Sequence, residues 1–288
     1  MNSKKTFSRL GIAMFAFLAL SNIFSVIFAL IFEMASPGTL KNSDTQTLVT
    51  FVSVDLIGFA VFWLIVRNMP KFALKRKKVG IVKLFIYFAV CVAVSVFGSV
   101  IGTALSAALS GGDAQNYVSD LMENPGLFTI FDVVIFGPIA EEIICRKLVI
   151  DRTVQFGEKN AIIFSAVLFG LMHGNFYQAF YAFAIGLVFA YVYTRSGKIR
   201  YTVALHMVFN FVCGVLPGLL PSETFFAALD WTFVVLGIAF IAAFRKNIYF
   251  RRTLFELRCG EVFKTVYLNA GMFLFFAAVV FEFVYALM

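Results

Sequence analysis

Long apolar runs separated by short polar segments extend along the whole chain. Most runs hold about twenty residues, enough for a helix to cross roughly 30 Å of hydrocarbon at about 1.5 Å per residue. Because the runs are continuous rather than alternating, they favour transmembrane helices over the strands of a membrane barrel. We therefore predict an all-α, polytopic transmembrane helix bundle of eight or nine spans, at 10–32, 46–66, 81–107, 126–150, 160–174, 177–194, 201–220, 225–244 and 265–286.

The first and last runs each allow a second interpretation. The run at 10–32 could be a signal peptide, but it is longer than the apolar region of one and lacks a clear small-x-small cleavage site, so we expect a retained helix. The run at 265–286 could cross the membrane or lie against the bundle without crossing.

Composition supports a membrane protein and excludes an ordinary soluble domain. Of the 288 residues, 61% are hydrophobic and only 14% are charged, whereas soluble domains are close to half apolar and a quarter charged. The cysteines are scattered without a CxxC pair, so they indicate neither a disulfide framework nor a cysteine-based metal site. We expect an integral membrane protein, located in the cell membrane if the host is a prokaryote.

Basic residues accumulate in alternate loops, which predicts the orientation of the chain. With a cytoplasmic N-terminus, the loops expected inside hold the Lys and Arg clusters at 4–9, 67–83, 147–159, 195–200 and 245–264. The loops expected outside are mainly acidic, with Lys41 as the exception. The net charge of +8 therefore faces anionic lipid headgroups, and no nucleic-acid partner is needed to explain it.

Three polar motifs interrupt the apolar runs. The stretch FGPIAEEIICRKL (136–148) places Glu141, Glu142 and Arg146 within a span. The only two histidines also lie in spans: His173 ends FGLMH and His206 begins HMVFN. Ionisable groups at the centre of a span cost roughly 2.5–3.5 kcal/mol on insertion scales, so each is a candidate functional residue.

The three motifs are expected at overlapping depths. Counted from the inner ends of their spans, the two glutamates lie roughly 14 Å deep, His173 roughly 20 Å, and His206 with Asn210 roughly 8 and 14 Å. Glu142 and Arg146 share a helix face because they are four residues apart, and so do His206 and Asn210. This convergence indicates one site within the bundle.

Each motif alone also has a purely structural interpretation. Glu142 and Arg146 could be a helix-stabilising ion pair, a buried histidine could be an interhelical hydrogen-bonder, and Asn210 could join two helices. Phe169, at the start of FGLMH, is one of 38 phenylalanines and carries no information by itself. The combination argues against these interpretations, because the only histidines coincide in depth with the only pair of adjacent glutamates.

The motifs EEIICR, FGLMH and HMVFN resemble, in order and on separate helices, the EExxxR, FxxxH and HxxxN motifs of the CPBP family. This family comprises the CAAX proteases and bacteriocin-processing enzymes, also called Abi proteins. The resemblance covers about 120–220 and predicts a catalytic core at 111–222, between N-terminal helices with a basic linker at 1–110 and C-terminal helices at 223–288.

The resemblance implies an intramembrane glutamate-dependent endopeptidase with a peptide or protein substrate in contact with membrane lipid. Carried over by position, Glu141 with His173 would activate a water, and His206 with Asn210 would stabilise the oxyanion. Glu142 and Arg146 would shape the catalytic site, and Phe169 would contact the substrate. Glu141 is the better general base, since it is rotated about 100° from Glu142 and lacks the arginine one turn away.

Three alternatives remain open at the level of the sequence. Two histidines and two glutamates could bind zinc, although HExxH is absent and we favour a site without a cofactor. A proton-coupled transporter could use the same groups, although no repeat symmetry is visible. A non-catalytic immunity or scaffolding protein could keep the fold and act by binding. The substrate, prenylated or not, is not specified by the sequence.

Overall fold

The computed structural model describes residues 2–220 and 222–288, and every regular element in these ranges is helical. We number the helices in chain order: α1 Ser3–Ala35, α2 Ser43–Val66, α3 Ile81–Ser110, α4 Tyr117–Glu123, α5 127–153, α6 Glu158–Leu171, α7 Phe176–Ser196, α8 Ile199–Leu219, α9 Glu223–Phe244, α10 Cys259–Val266 and α11 Ala270–Tyr285. The predicted all-α transmembrane bundle is thereby confirmed.

The number of helices able to cross a membrane is smaller than the predicted eight or nine. Six helices in the described ranges are long and apolar enough: α1, α2, α3, α7, α8 and α9. The count rises to seven if α10 and α11, which meet at a bend of 64°, form one broken span. The chain is therefore an integral membrane protein, and its orientation remains a prediction.

The remaining two predicted spans, at 126–150 and 160–174, correspond to α5 and α6. Helix α6 has 14 residues, about 21 Å of helix, which is too short to cross about 30 Å of hydrocarbon. Helix α5 carries seven charged residues: Asp132, Glu141, Glu142, Arg146, Lys147, Asp151 and Arg152. Apolar run length alone does not distinguish a lipid-facing span from a helix buried within the bundle, and α6 and the part of α5 at 142–153 are largely buried.

Asparagine side chains fix the starts of several helices. Asn42 accepts a hydrogen bond from the backbone of Thr45 at the start of α2, and Asn175 accepts one from Gln178 at the start of α7. Such caps satisfy N–H groups that have no partner within the helix. Gly197, with φ of 61°, ends α7 in the left-handed conformation. The turn between α7 and α8 is therefore short, and it places these two helices side by side.

Two extended segments cover the end of the bundle that carries the basic loops. The backbone N–H of Phe72 donates to Asp151 O at 2.7 Å, and that of Lys77 donates to Ser196 O at 2.7 Å. From the second segment, the backbone N–H of Arg251 donates to Glu158 Oε2 at 2.6 Å. Segments 70–80 and 248–258 are thus attached to the ends of α5, α6 and α7.

Helices α1 and α11 pack with their backbones nearly in contact at two glycines. A Cβ atom on Gly11 would lie 2.5 Å from the backbone carbon of Gly271, and one on Gly271 would overlap the carbonyl of Ser8. Small residues permit this approach, which is a common basis of helix association in membranes. The contact joins the N-terminal helix to the C-terminal one.

We predict that Gly271→Ala destabilises the protein by about 1–3 kcal/mol, because the added methyl group forces two helix backbones apart. The matched control is Gly214→Ala, since a Cβ at Gly214 meets nothing within 4 Å. Thermal unfolding in detergent micelles measures both variants. Equal stability of the two variants would show that the α1–α11 contact tolerates separation.

Candidate active site

The glutamate-bearing helix α5 is widened before and after its two glutamates. Residues Asp132–Phe136 and Ile143–Ile150 form π-helical turns on either side of the α-helical segment Gly137–Glu142. The backbone N–H of Gly137 donates to Asp132 O, five residues earlier. Such π turns occur frequently at functional sites, because they rotate the side chains that follow.

Asn210 satisfies a backbone carbonyl that the wide turn leaves open. In the π register the donor to Val133 O would be Pro138, which has no N–H. The Asn210 side chain supplies this hydrogen bond instead, with Nδ2 at 2.8 Å from Val133 O. Asn210 thereby joins α8 to α5 immediately before the glutamates, and an amide nitrogen carries a second N–H.

Glu142 and Arg146 form a fully buried ion pair. Arg146 Nε lies 3.0 Å from Glu142 Oε2 and Nη2 lies 3.1 Å from Oε1, so the contact is bidentate. Both side chains have 0% exposure. A charged pair removed from water needs nearly ideal geometry and further hydrogen bonds, and the bidentate contact provides the first of these.

The remaining surface of Arg146 is covered by a hydroxyl group and two aromatic rings. Nη1 donates to Ser165 Oγ at 2.8 Å, and Ser165 Oγ in turn donates to Cys145 O at 2.8 Å. The guanidinium carbon lies 4.6 Å from the ring centre of Phe169 and 5.8 Å from that of Phe189. Cation–π contacts of this kind are strongest when water is excluded. Helices α5, α6 and α7 are therefore held together around one arginine.

The imidazole of His206 stands between the two glutamates. Its Nδ1 lies 3.4 Å from Glu142 Oε1, and its Nε2 lies 3.7 Å from Glu141 Oε2. The ring also packs against Phe169 and Phe189, with centroid distances of 5.6 and 5.2 Å. Each ring nitrogen thus faces a carboxylate, although neither contact is a well-formed hydrogen bond.

Glu141 differs from its neighbour in both exposure and partners. Its side chain is 25% exposed, against 0% for Glu142. Its nearest ion-pairing group is His206, whereas Glu142 is held by Arg146. Adjacent residues on an α-helix point about 100° apart, and this rotation separates an accessible carboxylate from an inaccessible one.

The hydrogen bond of His173 defines its tautomer. Nδ1 lies 2.7 Å from the carbonyl oxygen of Phe169. Since a carbonyl can only accept, Nδ1 carries the proton, and Nε2 of the neutral ring is left with a lone pair. The ring is packed edge-on against Phe169 at 5.2 Å, and the same phenylalanine contacts His206.

The structure brings the predicted site residues together to different degrees. Glu141, Glu142, Arg146 and His206 are in direct contact, and His173 is linked to them through Phe169. Phe169 is 1% exposed and packs against Arg146, so a contact with substrate stays a prediction.

Sequence analysis missed Ser165, Asp55 and Asp132. Nothing in the sequence marks Ser165, whereas the two aspartates are ionisable groups within predicted spans and could have been found by that signal.

No group of three or more His, Cys, Asp or Glu side chains in 2–220 and 222–288 is arranged to hold a metal ion. Both oxygens of Glu142 already accept hydrogen bonds from Arg146. What the arrangement offers chemically is one accessible carboxylate, two imidazoles and an amide donor. These are the components of general-base chemistry with stabilisation of a developing oxyanion.

Comparisons with known proteins agree with these motifs. Residues 123–212 match the family model described as Type II CAAX prenyl endopeptidase Rce1-like. The chain is also 26% identical over 159 residues to a Bacillus subtilis (strain 168) protein named "Putative membrane peptidase YdiL". That match covers 52% of this chain and 64% of the relative, which is less than two thirds of its length. No solved structure matches the chain.

The helical bundle, the position of the motifs and both similarities make the chain similar to one class of proteins, the peptidases embedded in membranes. Within that class the chain is similar to the CPBP family, whose EExxxR, FxxxH and HxxxN motifs it carries. All three motifs lie inside the matched segment 123–212.

We predict that Glu142→Gln lowers stability by about 3–5 kcal/mol, because it leaves the charge of Arg146 buried without a counter-ion. The control is Lys147→Met, which removes an ion pair of the same i,i+4 spacing on the same helix, between Lys147 and Asp151. The Lys147 side chain is 49% exposed, so this change should cost less than about 1 kcal/mol. Thermal unfolding in detergent compares the variants. Similar losses in both would contradict a structural role specific to Glu142.

Proposed function

We propose that the protein is an intramembrane endopeptidase that hydrolyses a peptide bond of a membrane-associated protein or peptide. The observation that carries the proposal is the division between the two adjacent glutamates. Glu142 is locked to Arg146 in the interior, while Glu141 is accessible and next to His206. A general base must reach a water or a substrate proton, and of the two glutamates only Glu141 is accessible enough to do so.

In the proposed mechanism, Glu141 and His173 hold the attacking water. Glu141 takes a proton from the water as its oxygen attacks the carbonyl carbon of the scissile bond. The lone pair on His173 Nε2, left free because Nδ1 donates to Phe169 O, accepts a hydrogen bond from the O–H that the water keeps. Glu141 then returns its proton to the leaving amine, so the base is regenerated when the C–N bond breaks.

His206 and Asn210 are proposed to stabilise the tetrahedral oxyanion. The ring of His206 has Nδ1 facing Glu142 and Nε2 facing Glu141, so an N–H on Nε2 would point toward the side of Glu141. One N–H of the Asn210 amide is engaged by Val133, which fixes the plane of the group and orients the other. Donors held in place before the reaction contribute most where water is scarce, as in this apolar bundle.

The substrate is proposed to approach from the end of the bundle where the basic loops lie, which we predict to be cytoplasmic. The family description names a prenyl endopeptidase, so a prenylated CAAX peptide is one candidate substrate. Peptide precursors and other membrane proteins are the others. A covalently attached prenyl chain would partition into the bilayer beside the bundle and raise the local concentration of the peptide.

Glu141→Gln should abolish cleavage, with a loss of about 10²–10⁴-fold or more from the general-base contribution. The probe is an internally quenched CAAX peptide, in farnesylated and unmodified forms, presented to the protein in proteoliposomes. Gln keeps the size and hydrogen bonding of Glu, so the variant should stay folded. Glu33→Gln, at the distant end of α1, is the matched control and should cleave like the wild type.

Wild-type activity in Glu141→Gln would remove the catalytic assignment. It would favour a protein that keeps the fold and acts by binding. Selective cleavage of the farnesylated peptide would assign the prenyl group as part of the substrate, and equal cleavage of both forms would assign the peptide alone.

Treatment with a zinc chelator should leave cleavage of the same peptide unchanged, because the proposed water is activated by Glu141 and not by a metal. The measurement compares initial rates before and after chelation and after zinc is added back. Loss of activity on chelation, with recovery on adding zinc, would replace the glutamate mechanism with a metal-dependent one.

A further inference from the structure

Two aspartates outside the three motifs lie beside Glu141. Asp55 is on α2 and Asp132 is on α5, each within a π-helical segment, Phe51–Gly58 and Asp132–Phe136. Asp132 is 7% exposed, and its Oδ1 is buried without a hydrogen-bond partner. An unpartnered carboxyl oxygen in an apolar bundle needs an explanation.

The register between α2 and α5 places Asp55 at the level of Glu141. The two helices run parallel, since Ser43 contacts Asn124 and Gly126 near their starts and Thr47 Oγ1 lies 2.8 Å from Thr129 Oγ1 one turn later. Eight residues further along both helices are Asp55 and Gly137.

Phe51, one turn before Asp55, keeps this register by packing against two phenylalanines of α5. Phe51 packs against Phe128 and Phe136, with ring centroids 5.6 and 5.4 Å apart. Since Phe128 and Phe136 lie one turn before and one turn after Asp132, the ring of Phe51 faces the turn that carries Asp132. Asp55, one turn after Phe51 on the same helix face, is thereby directed toward α5 as well.

Glu141 folds back toward the same level. Its Oε1 lies 4.0 Å from the position of a Cβ built on Gly137, which puts the carboxylate beside the preceding turn of the helix. The helix segment Gly137–Glu142 contacts the segment Phe51–Gly58. Asp55 and Asp132 interact electrostatically with each other, and Glu141 interacts with both. We call Asp55, Asp132 and Glu141 the acidic trio.

The basic groups nearest the acidic trio already have other carboxylate partners. Arg146 is held by Glu142, and His206 stands between the two glutamates. In the part of the chain that the structure describes, neither Asp55 nor Asp132 forms an ion pair. Carboxylates that interact in an apolar interior repel one another, so they do not all ionise together.

We propose that Asp55 and Asp132 are positioning residues for the proposed peptidase reaction, whose carboxyl groups repel the anion of Glu141 and so set the pH at which Glu141 becomes an ionised base. This inference rests on the proposed function. Neither aspartate needs to touch the substrate, because each acts through Glu141. The ionisation of the general base thus depends on an aspartate of α2, outside the motif region, as well as on an aspartate of α5, the helix that carries Glu141.

Infrared titration of the purified protein in lipid nanodiscs tests this inference without a substrate, because protonated carboxyl groups absorb apart from carboxylates. Asp55→Asn and Asp132→Asn should each move the deprotonation of the remaining carboxyl groups toward lower pH by about one unit, since a repelling neighbour is removed. Asp230→Asn, a carboxylate on the exposed side of α9, is the control. It should change only the amplitude and shift no other transition.

Unshifted transitions in both variants, or an equal shift in the control, would overturn the inference. Failure of both variants to fold would also overturn it, because Asn in place of a carboxyl group without an ion-pair partner removes a desolvated charge and should not destabilise. The titration is independent of the Glu141→Gln cleavage assay. The peptidase proposal and the inference about the acidic trio can therefore fail separately.

With the farnesylated CAAX peptide as probe, the same variants should lower kcat and leave KM nearly unchanged. They should also extend activity to lower pH, because Glu141 would stay ionised there. The charged groups facing Glu141 are Asp55, Asp132, Glu142, Arg146 and His206. A fall in activity without a change in the pH profile would indicate a purely structural role for the aspartates.

Discussion

The buried charge of Arg146 is the constraint on which the rest of the site depends. An arginine with no exposed surface must have every face satisfied inside the bundle, and this one uses a carboxylate, a hydroxyl group and two aromatic rings. These partners come from α5, α6 and α7. These three helices, two of which carry motifs, are therefore held in one arrangement by an electrostatic requirement. In a membrane, apolar packing alone distinguishes poorly between helix positions.

The same constraint gives two adjacent glutamates different roles. Glu142 is consumed as the counter-ion of Arg146, and the helical rotation of about 100° directs Glu141 elsewhere. A single glutamate in this position could satisfy the arginine or act as a base, but it could not do both. The doubled glutamate thus supports one structural carboxylate and one that is available for chemistry. The imidazole of His206 lies within 3.7 Å of both carboxylates.

Much of this arrangement followed from the sequence because its signals are local. The i,i+4 spacing of Glu142 and Arg146 predicted their contact, and the clustering of ionisable groups within spans predicted which helices meet. The number of spans was overestimated, because run length does not reveal that α5 and α6 lie within the bundle. Ser165 was not predictable, since its role depends on where α6 passes Arg146, which is a tertiary property.

The π-helical turns explain why the remaining geometry was missed. An α-helical projection of 126–150 assumes one rotation per residue throughout, whereas α5 changes register before and after the glutamates. Pro138 lacks the N–H that would close the wide turn, and this creates the open carbonyl that Asn210 fills. Pro138 thus leads to a hydrogen bond between α5 and α8, the helices of two different motifs. The asparagine of HxxxN has a defined structural partner before any substrate is bound, and its remaining N–H is oriented by that partner.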